Sequence, residues 1–90
     1  MLKYLIEFIG TFIFLSVIIA VGEPIPIAIG LLAAIYFGGH ISGGHFNPAV
    51  SLMMFLKNSL NINDLPFYIL AQCAGAAAAY YFYINQKRVN

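Results

Sequence analysis

Residues 39–50 read Gly39-His40-Ile41-Ser42-Gly43-Gly44-His45-Phe46-Asn47-Pro48-Ala49-Val50, a polar, glycine-rich run with long apolar stretches on both sides. Three glycines, a serine, two histidines and an Asn-Pro pair cannot all continue a membrane-spanning helix. Yet the flanks place the run at or within membrane depth. Hydrophobic residues make up 62% of the 90, and charged residues 8%, against roughly 25% charged in soluble domains. A soluble chain of this size could not bury so much apolar surface, so the sequence predicts an integral membrane protein. Irregular backbone at that depth is tolerated only where it is buried in protein or lines a water-filled cavity. The formal charge of +1, with no basic run, argues against a nucleic-acid partner. Cys73 is the single cysteine, so no intrachain disulfide framework exists.

The first apolar segment, about residues 4–21, is long enough to span the roughly 30 Å hydrocarbon layer. A secretory signal has a shorter apolar core and a small-residue cleavage site. This segment instead carries Glu7 and ends in Val21-Gly22-Glu23-Pro24. Glu7, Gly10, Thr11 and Phe14 share one helix face. A carboxylate inside a span costs at least about 2.5 kcal/mol unless it faces protein or water. It serves either as an ion site or as an internal acceptor that ties down a loop. The second reading is favoured, because no other acidic residue lies in an apolar segment to form a relay.

Gly22 to Pro26 predicts a turn, with Pro24 or Pro26 opening the next helix. That helix, about residues 25–41, is roughly 25 Å long. Gly30, Ala34 and Gly38 line one of its faces at spacing four, which permits close helix approach. After the central run, Asn47 is a good N-cap residue and Pro48 suits the first helical position. The helix that follows ends at Lys57-Asn58-Ser59 and is roughly 15 Å long, half a bilayer. The chain must therefore enter the membrane and return on the same side, as a re-entrant loop and half-helix over about residues 42–56. Asp64 is expected to cap the last helix, about residues 65–84, which carries Ala71, Gly75 and Ala79 as a second small stripe, with Gln72 among them. Tyr80, Tyr81 and Tyr83 fit an interfacial belt, with Lys87 and Arg88 just outside. The fold class is thus an all-α membrane protein of three transmembrane helices plus one re-entrant half-helix, in a single domain.

A half-helix starting near the midplane aims its N-terminus into the protein, where unpaired amides and the macrodipole amount to about half a positive charge. That end repels a cation and tolerates a neutral hydrogen-bonding molecule. Asn47 can cap backbone groups and still turn amide donors toward a lumen, while Gly43 and Gly44 allow preceding carbonyls to act as acceptors. The two histidines, five apart with no cysteine or carboxylate beside them, do not make a metal set. Neither Ser42 nor Ser51 has a base-and-orienter arrangement, so no enzyme and no cofactor is expected.

The central run resembles the first signature of the aquaporin and glycerol-facilitator (major intrinsic protein) family. Glu7-Phe8-x-Gly10-Thr11-Phe12 resembles the start of that family's first helix, and Ala71-Gln72-x-x-Gly75-Ala76 its third. The resemblance covers essentially the whole sequence and implies one inverted-repeat unit of the aquaporin fold. It implies Asn47, Pro48 and Ala49 as the first pore motif, and lumen-facing carbonyls from Gly43, Gly44, His45 and Phe46. It also implies that Glu7 and Gln72, with His40, brace the re-entrant loop.

Two departures follow from the same resemblance. Family members carry two such halves in inverted orientation, whereas this sequence holds the first. Where the second motif has a pore-narrowing arginine, Val50 stands here, and the aromatic filter position of the second helix falls on Ile27. Such a filter should be wider and more apolar. The expectation is a passive channel for water or small neutral solutes such as glycerol, built by antiparallel pairing of two half-chains. The partner is a second copy or a complementary half-chain, and pores can assemble further into a tetramer. Lys3 and Lys57 on one side against Lys87 and Arg88 on the other give no orientation bias. The alternative is a truncated or regulatory subunit that pairs with another family chain and does not conduct alone.

Overall fold

A computed structural model describes the backbone of residues 1–89 and the side chains through Lys87; the side chain of Arg88, counted above as an interfacial charge, lies outside the described residues. Four helices follow in order: α1 Leu2–Ala20, α2 Pro24–Ser42, α3 Pro48–Leu56 and α4 Leu65–Val89. Three of them are long and apolar enough to cross a membrane, over Leu2–Ala20, Pro24–Ser42 and Leu65–Lys87. The short α3 is not. Pro24 opens α2, where its missing N–H and fixed φ cost nothing.

α1 is the central helix, with α2 on one side and α4 on the other, while α3 packs on α4. Small residues decide how close these helices come. A Cβ added at Gly75 would lie 2.7 Å from the Phe8 carbonyl oxygen and 3.1 Å from the Phe12 nitrogen, so α4 meets the bare backbone of α1 there. In the expected stripes, Gly30, Ala34 and Gly38 are all buried, as are Gly75 and Ala79, with Ala71 half-buried. The outward face of α2 instead shows Ile25, Ile29, Leu32 and Tyr36, side chains that suit a hydrocarbon surrounding.

The helix ends fix direction and depth. Tyr4 packs its ring against Phe67 and Tyr68, and Phe12 against Phe82, so α1 and α4 run parallel from a common near end. Lys3 Nζ lies 2.8 Å from Asp64 Oδ2, and the Tyr4 hydroxyl donates to Oδ1 of the same carboxylate. This corrects the expectation for Asp64. Its side chain does not cap α4; the paired cation and phenol on α1 compete better for it than lone backbone amides do.

The irregular part of the central run is shorter than its composition suggests. Gly39 to Ser42 continue α2, and the break comes at Gly43, in the left-handed region at φ 93°. Asn58 closes α3 in the same conformation, at φ 69°, which asparagine tolerates at a helix C-terminus.

Gly75→Ala should separate α1 from α4 and cost about 1–3 kcal/mol. Thermal unfolding in detergent should show the loss, while Ala77→Leu on the exposed face leaves the transition unchanged. The Lys3 ammonium, then the Tyr4 hydroxyl, hold the Asp64 carboxyl below its ordinary value. A depressed folded-state pKa means that the contribution is complete above the unfolded value, about 3.9, and is lost as pH falls through the lower folded value. Asp64→Asn should therefore destabilise the protein at neutral pH. The gap from the wild type should shrink as pH drops below about 4.

Candidate pore-lining site

The segment between α2 and α3, residues 43–47, is held by one carboxylate. Glu7 is fully buried and accepts four hydrogen bonds. Oε2 takes the Ser42 hydroxyl at 2.7 Å and the His45 amide at 3.1 Å. Oε1 takes the Phe46 amide at 2.8 Å and Gln72 Nε2 at 2.8 Å. The donors come from α2, the loop and α4, so a single side chain on α1 ties every neighbouring element to itself. Four donors match the four lone-pair positions of a carboxylate.

A second tier extends from this centre. Gln72 Nε2 also donates to Ser51 Oγ at 2.8 Å, which joins α4 to α3. Ser51 Oγ lies 2.8 Å from His45 Nδ1. That oxygen accepts from Gln72 and has both a second lone pair and its own hydrogen to offer the imidazole. The Tyr68 hydroxyl donates to the Ser42 carbonyl at 2.6 Å, and the Gly44 amide to Ser42 Oγ at 3.2 Å. Ser42, His45, Ser51, Tyr68 and Gln72 are all buried.

With its amides anchored, the loop takes three departures from ordinary backbone within four residues. Gly43 and Gly44 have φ of 93° and 67°, and Phe46 has 54°. A left-handed phenylalanine costs about 1–3 kcal/mol and persists only when its surroundings impose it. They do: the Phe46 amide is held by Glu7, and its ring is 1% exposed, lying where any Cβ on Gly10 would have to be. Ile6 and Ala34 complete that core, with Phe14 and Leu31 against it.

Asn47 follows directly. It is the N-cap of α3, and its Oδ1 accepts the Ala49 amide at 2.8 Å. Asn47, Pro48 and Ala49 are exposed, with Val50 half-buried one turn along. Asn47 and Pro48 border an open cleft of about 220 Å³, whose other walls include Thr11, Phe14, Leu15, Gln72, Cys73 and Ala76. Thr11 is the midpoint of α1, so the tip of the half-helix stands at mid-depth. The Thr11 hydroxyl and Gln72 Oε1 beside it are buried without a partner.

The remaining expected residues sort cleanly. Glu7 and Gln72 touch the loop or its supports directly. Gly43, Gly44, His45 and Phe46 form the loop itself, and among the described residues their carbonyls accept no hydrogen bond. Ile27 is half-buried near the start of α2 and does not line the cleft. His40 is a correction: it is exposed and makes no hydrogen bond to the loop, because α2 continues through it and turns Ser42 inward instead. Sequence reasoning also missed Ser51 and Tyr68 as supports. Their signal was helical spacing, since Ser51 lies four residues after Asn47 and Tyr68 four before Gln72. Among the described residues no cluster of histidine, cysteine and acidic side chains could hold a metal ion.

The family model described as "Major intrinsic protein" matches residues 1–89. Glycerol uptake facilitator protein-like 6 of Lactiplantibacillus plantarum is 47% identical over 89 residues, covering 88% of this chain and 41% of the relative. Aquaporin-4 of Mus musculus is 38% identical over 89 residues, covering 78% of this chain and 27% of the relative. The chain thus spans less than half the length of these relatives. No solved structure matches it. With three helices fit to cross a membrane, this is an integral multi-pass membrane protein, and it belongs to the major intrinsic protein family.

Proposed function

We propose that the unit forms one wall of a passive channel for water or small neutral solutes such as glycerol, and that an antiparallel second wall of the same architecture closes the pore. The observation that carries this reading is Asn47, exposed at mid-depth on the tip of a half-helix, beside an open cleft. A polar tip facing hydrocarbon is penalised, so it needs either protein or water over it. Asn47 uses its oxygen to cap α3, which leaves both amide hydrogens free to donate to a passing hydroxyl group. The unpaired carbonyls of residues 43–46 supply acceptors in series. The positive end of α3 disfavours cations at the same point. Away from the cleft, a filter with Val50 and Ile27 in place of an arginine and an aromatic ring would be wider and more apolar.

The partner wall is a second copy inserted the other way, or a complementary half-chain. Glu7 and Gln72 act as braces for the loop; Glu7 is fully buried and out of the path of solute, while Gln72 also borders the cleft. The known relatives named glycerol uptake facilitator and aquaporin support the solute class.

Vesicles containing only this chain should shrink or swell faster than protein-free vesicles in osmotic challenge. Asn47→Asp, which removes the donors and keeps the cap, should lower permeability roughly five- to tenfold, the equivalent of about 1–1.5 kcal/mol. A C-terminal tag should be reachable from both faces of the membrane; a single orientation sinks pairing with an inverted second copy. Folded protein that never conducts alone supports a regulatory subunit instead. Glu7→Gln presents an amide to donors that need acceptors. It should cost about 3 kcal/mol or more in thermal stability and expose the loop to proteolysis.

A further inference from the structure

The seam between α1 and α4 closes at Gly75 and opens again toward the far end of the helices, where a second cavity of about 70 Å³ lies. It does not belong to the Asn47 cleft. Its α1 wall, Ser16, Ile19 and Ala20, is centred about 140° around that helix from Thr11, Phe14 and Leu15 of the cleft, at about 100° per residue. It therefore faces away from the re-entrant loop, toward the surrounding bilayer. The small side chains of Ala20 and Ala79 leave the notch, and Ile19 and Phe82 wall it.

Two features of the cavity call for a ligand of mixed character. The Ser16 hydroxyl is buried there without a partner. The remaining inner walls are apolar, so a water would find one bond where buried waters usually make about three. The volume is about twice a water's share of liquid, which suits an ester group. At the far-end mouth stand Tyr83 and Gln86, with Lys87 Nζ 5.5 Å above the Tyr83 ring. A cation at the rim, a hydroxyl donor inside and apolar walls between them form a graded site.

We infer that this notch binds the glycerol-ester end of an anionic glycerophospholipid. An acyl carbonyl accepts from Ser16, the glycerol carbons lie against Ile19 and Phe82, and the phosphate sits near Lys87, while the acyl chain runs on past Ser16 toward the bilayer centre. Attraction of juxtamembrane basic residues to anionic headgroups is general; what this chain adds is a fitted seat beneath them.

The test is native mass spectrometry of the protein released from bilayers of equimolar phosphatidylglycerol and phosphatidylcholine. The wild type should retain phosphatidylglycerol several-fold over phosphatidylcholine. Ala20→Leu, which fills the notch from its exposed rim, should abolish retention, and Lys87→Gln should abolish the preference, while Lys87→Arg keeps it. All three variants should unfold in lipid-free detergent at the wild-type temperature. Equal retention of both lipids, or retention that survives Ala20→Leu, overturns the inference. So does displacement of the lipid by free glycerol phosphate, which would place the recognition in the headgroup alone.

Discussion

The buried carboxylate of Glu7 is the interaction on which the arrangement depends. A charge removed from water inside an apolar protein is tolerable only when every acceptor position is filled. Filling four positions requires donors from three different parts of the chain, and Glu7 recruits the end of α2, two consecutive loop amides and the middle of α4. Two costs are met together. The loop has amides with no helical partner, and the carboxylate has lone pairs with no water. Neither could sit at this depth alone, and each satisfies the other.

The polar network and the small residues are one constraint seen from two sides. Gln72 can reach both Glu7 and Ser51 because α4 lies against α1 backbone at Gly75, three residues further along. Phe46 can turn into the left-handed region because Gly10 and Gly38 leave room for its ring beside Ile6. A larger side chain at any of these points would push apart groups whose hydrogen bonds need distances below about 3.2 Å. The network thus acts as a ruler, and the height at which it stops the loop is the height at which α3 begins.

Much of this was legible in the sequence, and what was hidden has physical causes. The face made by Glu7, Gly10, Thr11 and Phe14 could be read from helical period alone, as could the half-bilayer length of α3. Both are local properties. Period could not say which donors reach Glu7, because Ser42, His45 and Gln72 lie 35, 38 and 65 residues away in sequence and meet through tertiary packing. Asp64 looked like a cap because it stands where caps stand, but a lysine and a tyrosine from the other end of the chain outbid the amides. His40 looked like a brace by its company in the central run. α2 simply continues through it, and one residue type's position in a motif does not tell which way a helix turns it.

The chemistry of the tip follows from what the network leaves unsatisfied. Pro48 has no N–H to lose, and Ala49 donates to Asn47, so the cap settles most of the donors that open a helix. What remains is the Asn47 amide, the macrodipole and a short run of carbonyls that accept no hydrogen bond among the described residues. Those groups are polar, fixed and uncharged, and fixed neutral donors and acceptors favour a neutral hydrogen-bonding molecule over an ion that must shed its hydration shell. A rigid brace behind the loop matters for the same reason. A loop free to rotate could turn its carbonyls to meet a cation, whereas one whose amides are pinned to Glu7 keeps them where they are. Discrimination by such a wall would then reside as much in the buried side that no solute touches as in the exposed side that it passes.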